Sequence, residues 1–167
     1  GNGLIKDIYE REQPDDVIIL GDYFDSLNLS PLVQKLNFES LLKLREEHIT
    51  SGKGEFILLL GNHDYHYMRD TMEMYLGYND ETAGYVCKLV EDLYKKKILQ
   101  ISYVDKVNRI IFSHAGVTNS WFNENCKTLE DINNASLESL RFTYRDGGDF
   151  YGSSKWNSPI WIRPEGL

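Results

Sequence analysis

The chain is poor in the residues that build special-purpose scaffolds. It has only two cysteines, Cys87 and Cys126, far apart and in no CxxC pair. That excludes a disulfide framework and a zinc knuckle, and both read as buried thiols in a reducing compartment. Basic residues are outnumbered 18 to 26 by acidic ones, for a net charge of -8. An acidic balance argues against nucleic acid and anionic membrane as partners, because both call for a basic patch. An anionic substrate would need a local positive charge, from clustered arginine or from a metal. No apolar run approaches a membrane span, and no signal peptide opens the chain. Repeats, low-complexity segments and linkers are absent. The expectation is a cytoplasmic protein with one domain, residues 1–167, large enough to bury a core.

What is there alternates between two periodicities. Leu4, Ile5, Ile8 and Tyr9 recur at helical spacing. "DVIIL" (Asp16 to Leu20) reads as a buried strand. "SPLVQKLNFESLLKLREEHITSG" carries a full set of helix signals: Ser30 to cap, Pro31 for the first turn, Gly52 to end it. "FILLL" (Phe56 to Leu60) is a second buried-strand run. A helix follows over "DETAGYVCKLVEDLYKKK", with Val86, Val90, Leu93 and Tyr94 on one face. "ILQISYV" and "NRIIFS" read as two more strands, joined as a hairpin across "DKVN". "TLEDINNASLESLRFTY" reads as a helix capped by Thr128. Alternating strands and helices predict an α/β layer architecture.

Three strands end alike. "VIIL" runs into "GDYFDS", "FILLL" into "GNHD", and "RIIF" into "SHAG". Ligands of α/β sheets bind outside the carboxyl ends of the strands. Three neighbouring strands would deliver Asp22, Asp25, Asn62, His63, Asp64 and His114 to one rim. Asp, Asn and His suit hard-to-borderline divalent ions, with no thiolate among them. Two ions about 3.5–4 Å apart can clamp a phosphoryl group and activate a water.

The ordered set "GDYFD", "GNHD" and "SHAG", each after a strand, resembles the calcineurin-like metallophosphoesterases. The motifs span Gly21 to Gly116. The resemblance implies an α/β/β/α sandwich and metal-dependent hydrolysis of phosphate esters at a dinuclear site (Mn, Fe, Zn or Mg). It implies Asp22 as the bridging ligand, with Asn62 and His114 on the second ion. His63 would then be a catalytic residue serving the leaving oxygen, oriented by Asp25. "SHAGV" and "PIWIRP" lean toward the branch of protein phosphatases and diadenosine tetraphosphate hydrolases. There an arginine near the tail can touch phosphate, which makes Arg163 and Arg145 candidate substrate contacts. The implied substrate is a phosphorylated one, a phosphoprotein or a nucleotide. A phosphomonoesterase comes ahead of a nucleotide or dinucleoside polyphosphate hydrolase, and a non-catalytic scaffold of the same fold stands as a third reading.

This chain departs from the family pattern in three places. No Asp-x-His-Gly motif occurs, no histidine follows His114, and Ser26 stands where protein phosphatases often have arginine. The opening "GNG" looks like the continuation of the first motif, so the chain reads as lacking its first strand and some closing strands. On that reading it would hold at most one ion and show little activity. Plainer readings accompany several residues. Asp64 reads as a helix cap or hydrogen-bond partner, and His48 and His66 as solvated. The Met and Tyr residues of "YHYMRDTMEMY" read as core, Trp156 and Trp161 as tail packing, and Arg145 equally as part of a surface turn.

Overall fold

The run Phe56–Leu60 becomes the centre of a parallel sheet. The computed structural model describes residues 2–68, 78–136 and 157–162. Strand β2 (Phe56–Leu59) is buried along its whole length. It pairs in parallel with β1 (Val17–Ile19) on one edge and with β3 (Leu99–Gln100) on the other. A strand with neighbours on both edges and cover on both faces needs apolar side chains throughout, hence the unbroken run. Helix α2 (Pro31–Thr50) begins as expected: Ser30 Oγ accepts from the Val33 amide at 3.4 Å, with Pro31 next. Helix α4 (Asp80–Lys95) buries Val86, Val90 and Leu93, and its cap is Asn79. Phe38 and Leu41 of α2 join them, Phe56, Leu58 and Leu99 in one apolar cluster. The architecture is mixed α/β, with a parallel sheet and helices packed on it.

Two apolar runs are less buried than their composition predicts. β1 is only half-buried, and Leu20 after it is 48% exposed. In β5 (Ile110–Ser113), Ile110 and Ile111 are also exposed. The cause is position. β1 ends the order β1-β2-β3, and β5 lies in a separate two-stranded antiparallel hairpin with β4 (Ser102–Asp105). The run "ILQISYV" therefore does not form one strand. Its first part extends the parallel sheet as β3, and after Ile101 the rest turns into the hairpin. Val104 of β4 packs with Trp121 of α5 (Asn119–Asn125) and Ile132 of α6 (Leu129–Asn133) in a second small core. Strands β6 (Asn157–Ser158) and β7 (Trp161–Ile162) form a short hairpin, tied to the "SHAG" loop where Ala115 N donates to Pro159 O at 2.8 Å.

Other expectations also shift. Helix α6 ends at Asn133, and residues 137–144 of the longer predicted helix lie outside the described ones. Neither cysteine is in a disulfide, but Cys87 is only half-buried while Cys126 is buried. His48, expected in solvent, is 1% exposed. Helix α1 (Asn2–Glu12) lies against α2, and Tyr9 Oη sits 2.8 Å from His48 Nδ1. Phe56 packs beside both, its ring 5.3 Å from that of His48 and 6.5 Å from that of Tyr9. Among the described residues no helix is long and apolar enough to cross a membrane.

The contrast between strand runs is testable. Leu58 is fully buried in β2, so Leu58→Ala should lower the urea-unfolding free energy by roughly 2–5 kcal/mol. Leu20→Ala, at a half-exposed strand end, should change it by less than about 1 kcal/mol.

Candidate metal and phosphate site

The loops after β1 and β2 are pressed together back to back. A Cβ on Gly21 would fall 2.4 Å from the Gly61 amide nitrogen, and one on Gly61 would fall 2.2 Å from Asp22 Oδ1. Both positions need glycine for closeness of approach. The first loop is also bent into left-handed backbone at Gly21 (φ 101°), Asp22 (φ 59°) and Asp25 (φ 67°). Such conformations persist only where the surroundings hold them. Asp64 does so at Asp22. Its side chain is fully buried, and its two oxygens accept from three backbone amides: Asp22 at 2.9 Å, Tyr23 at 2.8 Å and Gly61 at 2.9 Å. Burial pushes its carboxyl up to about 6, against the pull of those bonds.

Around these loops gather two polar groups of opposite character. The first consists of acceptors. His114, just past β5, has Nδ1 2.7 Å from Leu20 O. A carbonyl only accepts, so Nδ1 carries the hydrogen there. In the neutral ring Nε2 is then a lone pair. It lies 3.0 Å from Asn62 Oδ1 and 3.4 Å from Asp22 Oδ2. With the Asn62 amide turned this way, a nitrogen lone pair and two oxygens lie close together, an arrangement that a cation among them relieves. Asn62 opens the short helix α3 (Asn62–Tyr65), and the Asp22 side chain stays 37% exposed. The donor set fits a divalent ion of oxygen and imidazole preference.

The second group is built on a carboxylate that collects donors. Asp25 is buried, its side chain 1% exposed. Oδ2 lies 3.0 Å from His63 Nδ1 and 2.9 Å from His66 Nε2, and Oδ1 accepts from the Tyr67 hydroxyl. Burial raises the Asp25 carboxyl, but the bonds from His63, His66 and Tyr67 outweigh it and hold it at about 2. His63 is raised in turn, chiefly by its bond to Asp25 and against the opposing effect of burial. By distance alone Asp25, His63 and His66 could also hold an ion, their ligand atoms lying within 4.8 Å of one another.

The structure thus brings Asp22, Asn62 and His114 together, and Asp25 with His63 beside them. It does so with β5 in a different sheet from β1 and β2, contrary to the expected row of three neighbouring strands. Asp64 is a hydrogen-bond partner. His66 departs from expectation: it is 2% exposed rather than solvated. Tyr65, Tyr67 and Met68 are core, as read, while Met72, Met74 and Tyr75 of the same stretch lie outside the described residues. Arg145, Arg163 and Trp156 lie outside the described residues. Sequence reasoning missed His66 and Tyr67 as partners of Asp25. The available signal was their spacing from His63, i+3 and i+4, which puts all three on one helical face.

Residues 2–159 match the calcineurin-like phosphoesterase family, and the chain belongs to it. The chemistry of that family is metal-dependent hydrolysis of phosphate esters. Searches of curated proteins and of solved structures each found no match.

Two outcomes follow from the geometry. Asp64→Asn would turn an amide NH₂ toward backbone amides that are themselves donors. It should cost roughly 2–4 kcal/mol in denaturant unfolding, since each buried donor left unpaired costs about 1–3. The Asp25–His63 pair has a defined pH window. The depressed Asp25 contributes stability above its usual 3.8 and loses it as pH falls through about 2. The raised His63 contributes below its usual 6.5 and loses it as pH rises through its folded value. The stability difference between the native chain and Asp25→Asn should therefore be largest between about pH 4 and pH 6.5 in urea melts across pH.

Proposed function

We propose that this chain, as a member of the calcineurin-like phosphoesterase family, is a phosphatase domain acting on phosphate monoesters, phosphoproteins among them. In this reading Asp22, Asn62 and His114 hold a divalent ion, and His63, steered by Asp25, serves the leaving oxygen. The observation that carries it is the convergence of acceptors at His114 Nε2, Asn62 Oδ1 and Asp22 Oδ2. Such a set answers to a cation. The cluster around Asp25 is less suited to one, because His63 and the Tyr67 hydroxyl already bond its carboxylate and His66 Nε2 stands 2.9 Å from it.

The ion, when bound, supplies Lewis acidity toward the phosphoryl oxygens and lowers the pKa of water. The protein's residues do the rest. Water adds its oxygen to phosphorus and gives up one proton as the ester P–O bond breaks; the ester oxygen leaves with a proton, which that of the water replaces over the turnover. His63 is 29% exposed at its side chain, beside the acceptor cluster, and its backbone amide lies 3.2 Å from Asp22 Oδ1. With Nδ1 held on Asp25, the proton for the leaving oxygen is carried on Nε2. Its raised pKa keeps the ring protonated further toward neutrality than a free imidazole. The resemblance of "SHAGV" and "PIWIRP" to the protein phosphatase and diadenosine tetraphosphate hydrolase branch supports the choice of substrate class, with Arg163 and Arg145 as phosphate contacts.

The test uses Mn²⁺ and an alkyl phosphate, whose leaving oxygen needs a proton. Asn62→Ala or His114→Ala should weaken Mn²⁺ binding measured by calorimetry. His63→Ala should bind Mn²⁺ normally and lower turnover by about 10²–10⁴-fold. Loss of metal in the His63 variant, with an unchanged rate per bound ion, would exchange the roles. Tight Mn²⁺ binding without turnover on any phosphate ester would favour a scaffold of the same fold.

A further inference from the structure

The segment after β2 places three side chains on one acidic group. His63, His66 and Tyr67 stand at i, i+3 and i+4 along α3 and the 3-10 turn His66–Met68 that continues it. All three reach Asp25, which lies across the site on the neighbouring loop. They differ in access. His63 is 29% exposed at its side chain and His66 2%. The His66 ring is enclosed by aromatic neighbours, with centroids 4.6 Å from Tyr67 and 5.4 Å from Tyr78. His66 therefore cannot reach a substrate, although it stands on the same carboxylate oxygen as His63.

A carboxylate on a left-handed loop residue has one χ1 and one χ2 to fix. A single bond to His63 would leave it free to rotate and carry the imidazole with it. The Tyr67 hydroxyl donates to Oδ1, and the buried His66 places Nε2 2.9 Å from Oδ2. We infer that His66 and Tyr67 are positioning residues, which lock the Asp25 carboxylate so that His63 presents its outer nitrogen to the leaving oxygen. This rests on the proposed role of His63 in phosphoester hydrolysis and extends it to two residues that never meet the substrate.

A positioning role separates from a packing role by leaving group. A good leaving group, such as 4-nitrophenolate, departs with little need of a proton, whereas an alkyl alkoxide needs one. His66→Phe keeps a ring in the enclosed site and removes both nitrogens. Tyr67→Phe removes only a hydroxyl and guards against a His66 variant that does not fold. Each is assayed with Mn²⁺ on an alkyl phosphate and on 4-nitrophenyl phosphate, alone and combined with Asp25→Asn, with bound Mn²⁺ measured in parallel. The expected result is a fall in kcat on the alkyl ester of roughly 10–100-fold for His66→Phe, the scale on which outer partners of a functional group act. Tyr67→Phe should fall less. For both, the loss on the aryl ester should be several-fold smaller, with KM and bound Mn²⁺ little changed. In the Asp25→Asn background neither should cost anything further, because residues acting through one partner are not additive. Equal losses on both esters, or full additivity with Asp25→Asn, would overturn the inference. His63→Ala separates the levels. If it discriminates the esters and the His66 and Tyr67 variants do not, only this inference fails. If it does not discriminate them, the proposed role of His63 fails and takes this inference with it.

Discussion

Everything at this site hangs from one buried carboxylate. Asp64 is fully enclosed, and its oxygens accept from the amides of Asp22, Tyr23 and Gly61. Those amides belong to two different loops, at the ends of two neighbouring strands. One side chain thus satisfies donors that the strand ends would leave unpaired, and sets the spacing between the loops. Gly21 and Gly61 permit the approach, and Asp64 makes it favourable. Burying a carboxylate is costly unless its lone pairs are used. Here three bonds use them, and burial still raises its pKa to about 6. The left-handed backbone at Asp22 is what this arrangement holds in place.

Once the loops are fixed, the polar side chains sort by hydrogen-bonding sense. Asp22, Asn62 and His114 turn acceptors toward one another, an arrangement that is poor by itself and good around a cation. Asp25, His63, His66 and Tyr67 form the complementary case, a carboxylate surrounded by groups able to donate. His63 links the two, since its ring is on Asp25 and its backbone amide is 3.2 Å from Asp22 Oδ1. The acceptor cluster and the Asp25 cluster thus meet at one short helical segment, which carries Asn62 of the one and His63 of the other. Their closeness is a consequence of α3 starting immediately after β2.

The fold was legible where a local signal and the tertiary environment agree. Ser30 and Pro31 start α2, and the apolar stripe of α4 faces the core, because caps and periodicity are local properties of the chain. The strands were legible as strands but not by depth. "VIIL" and "RIIF" read like "FILLL", yet only the last is buried throughout, because depth depends on how many neighbours a strand acquires. The break of "ILQISYV" at Ile101 was likewise invisible. It arises from competition between two partners, β2 for the first part and β5 for the second. His48 and His66 were misread as solvated for a related reason. Polarity predicts exposure on average, and each is instead covered by aromatic rings brought from elsewhere, Tyr9 and Phe56 over one, Tyr67 and Tyr78 around the other.

The sequence by itself determined which chemistry could be assembled. The ordered motifs "GDYFD", "GNHD" and "SHAG" carry the family, and their place after apolar runs puts polar side chains at strand ends, because an apolar run that stops must stop at the sheet's rim. Tertiary structure alone decided who meets whom. His114 reaches Asn62 from a hairpin outside the parallel sheet, across 52 residues of chain. Asp25 gathers His63, His66 and Tyr67 from 38 to 42 residues away. Such pairings are set by the packing of whole loops and by where buried donors find acceptors. That balance is long-range, and no window of sequence contains it.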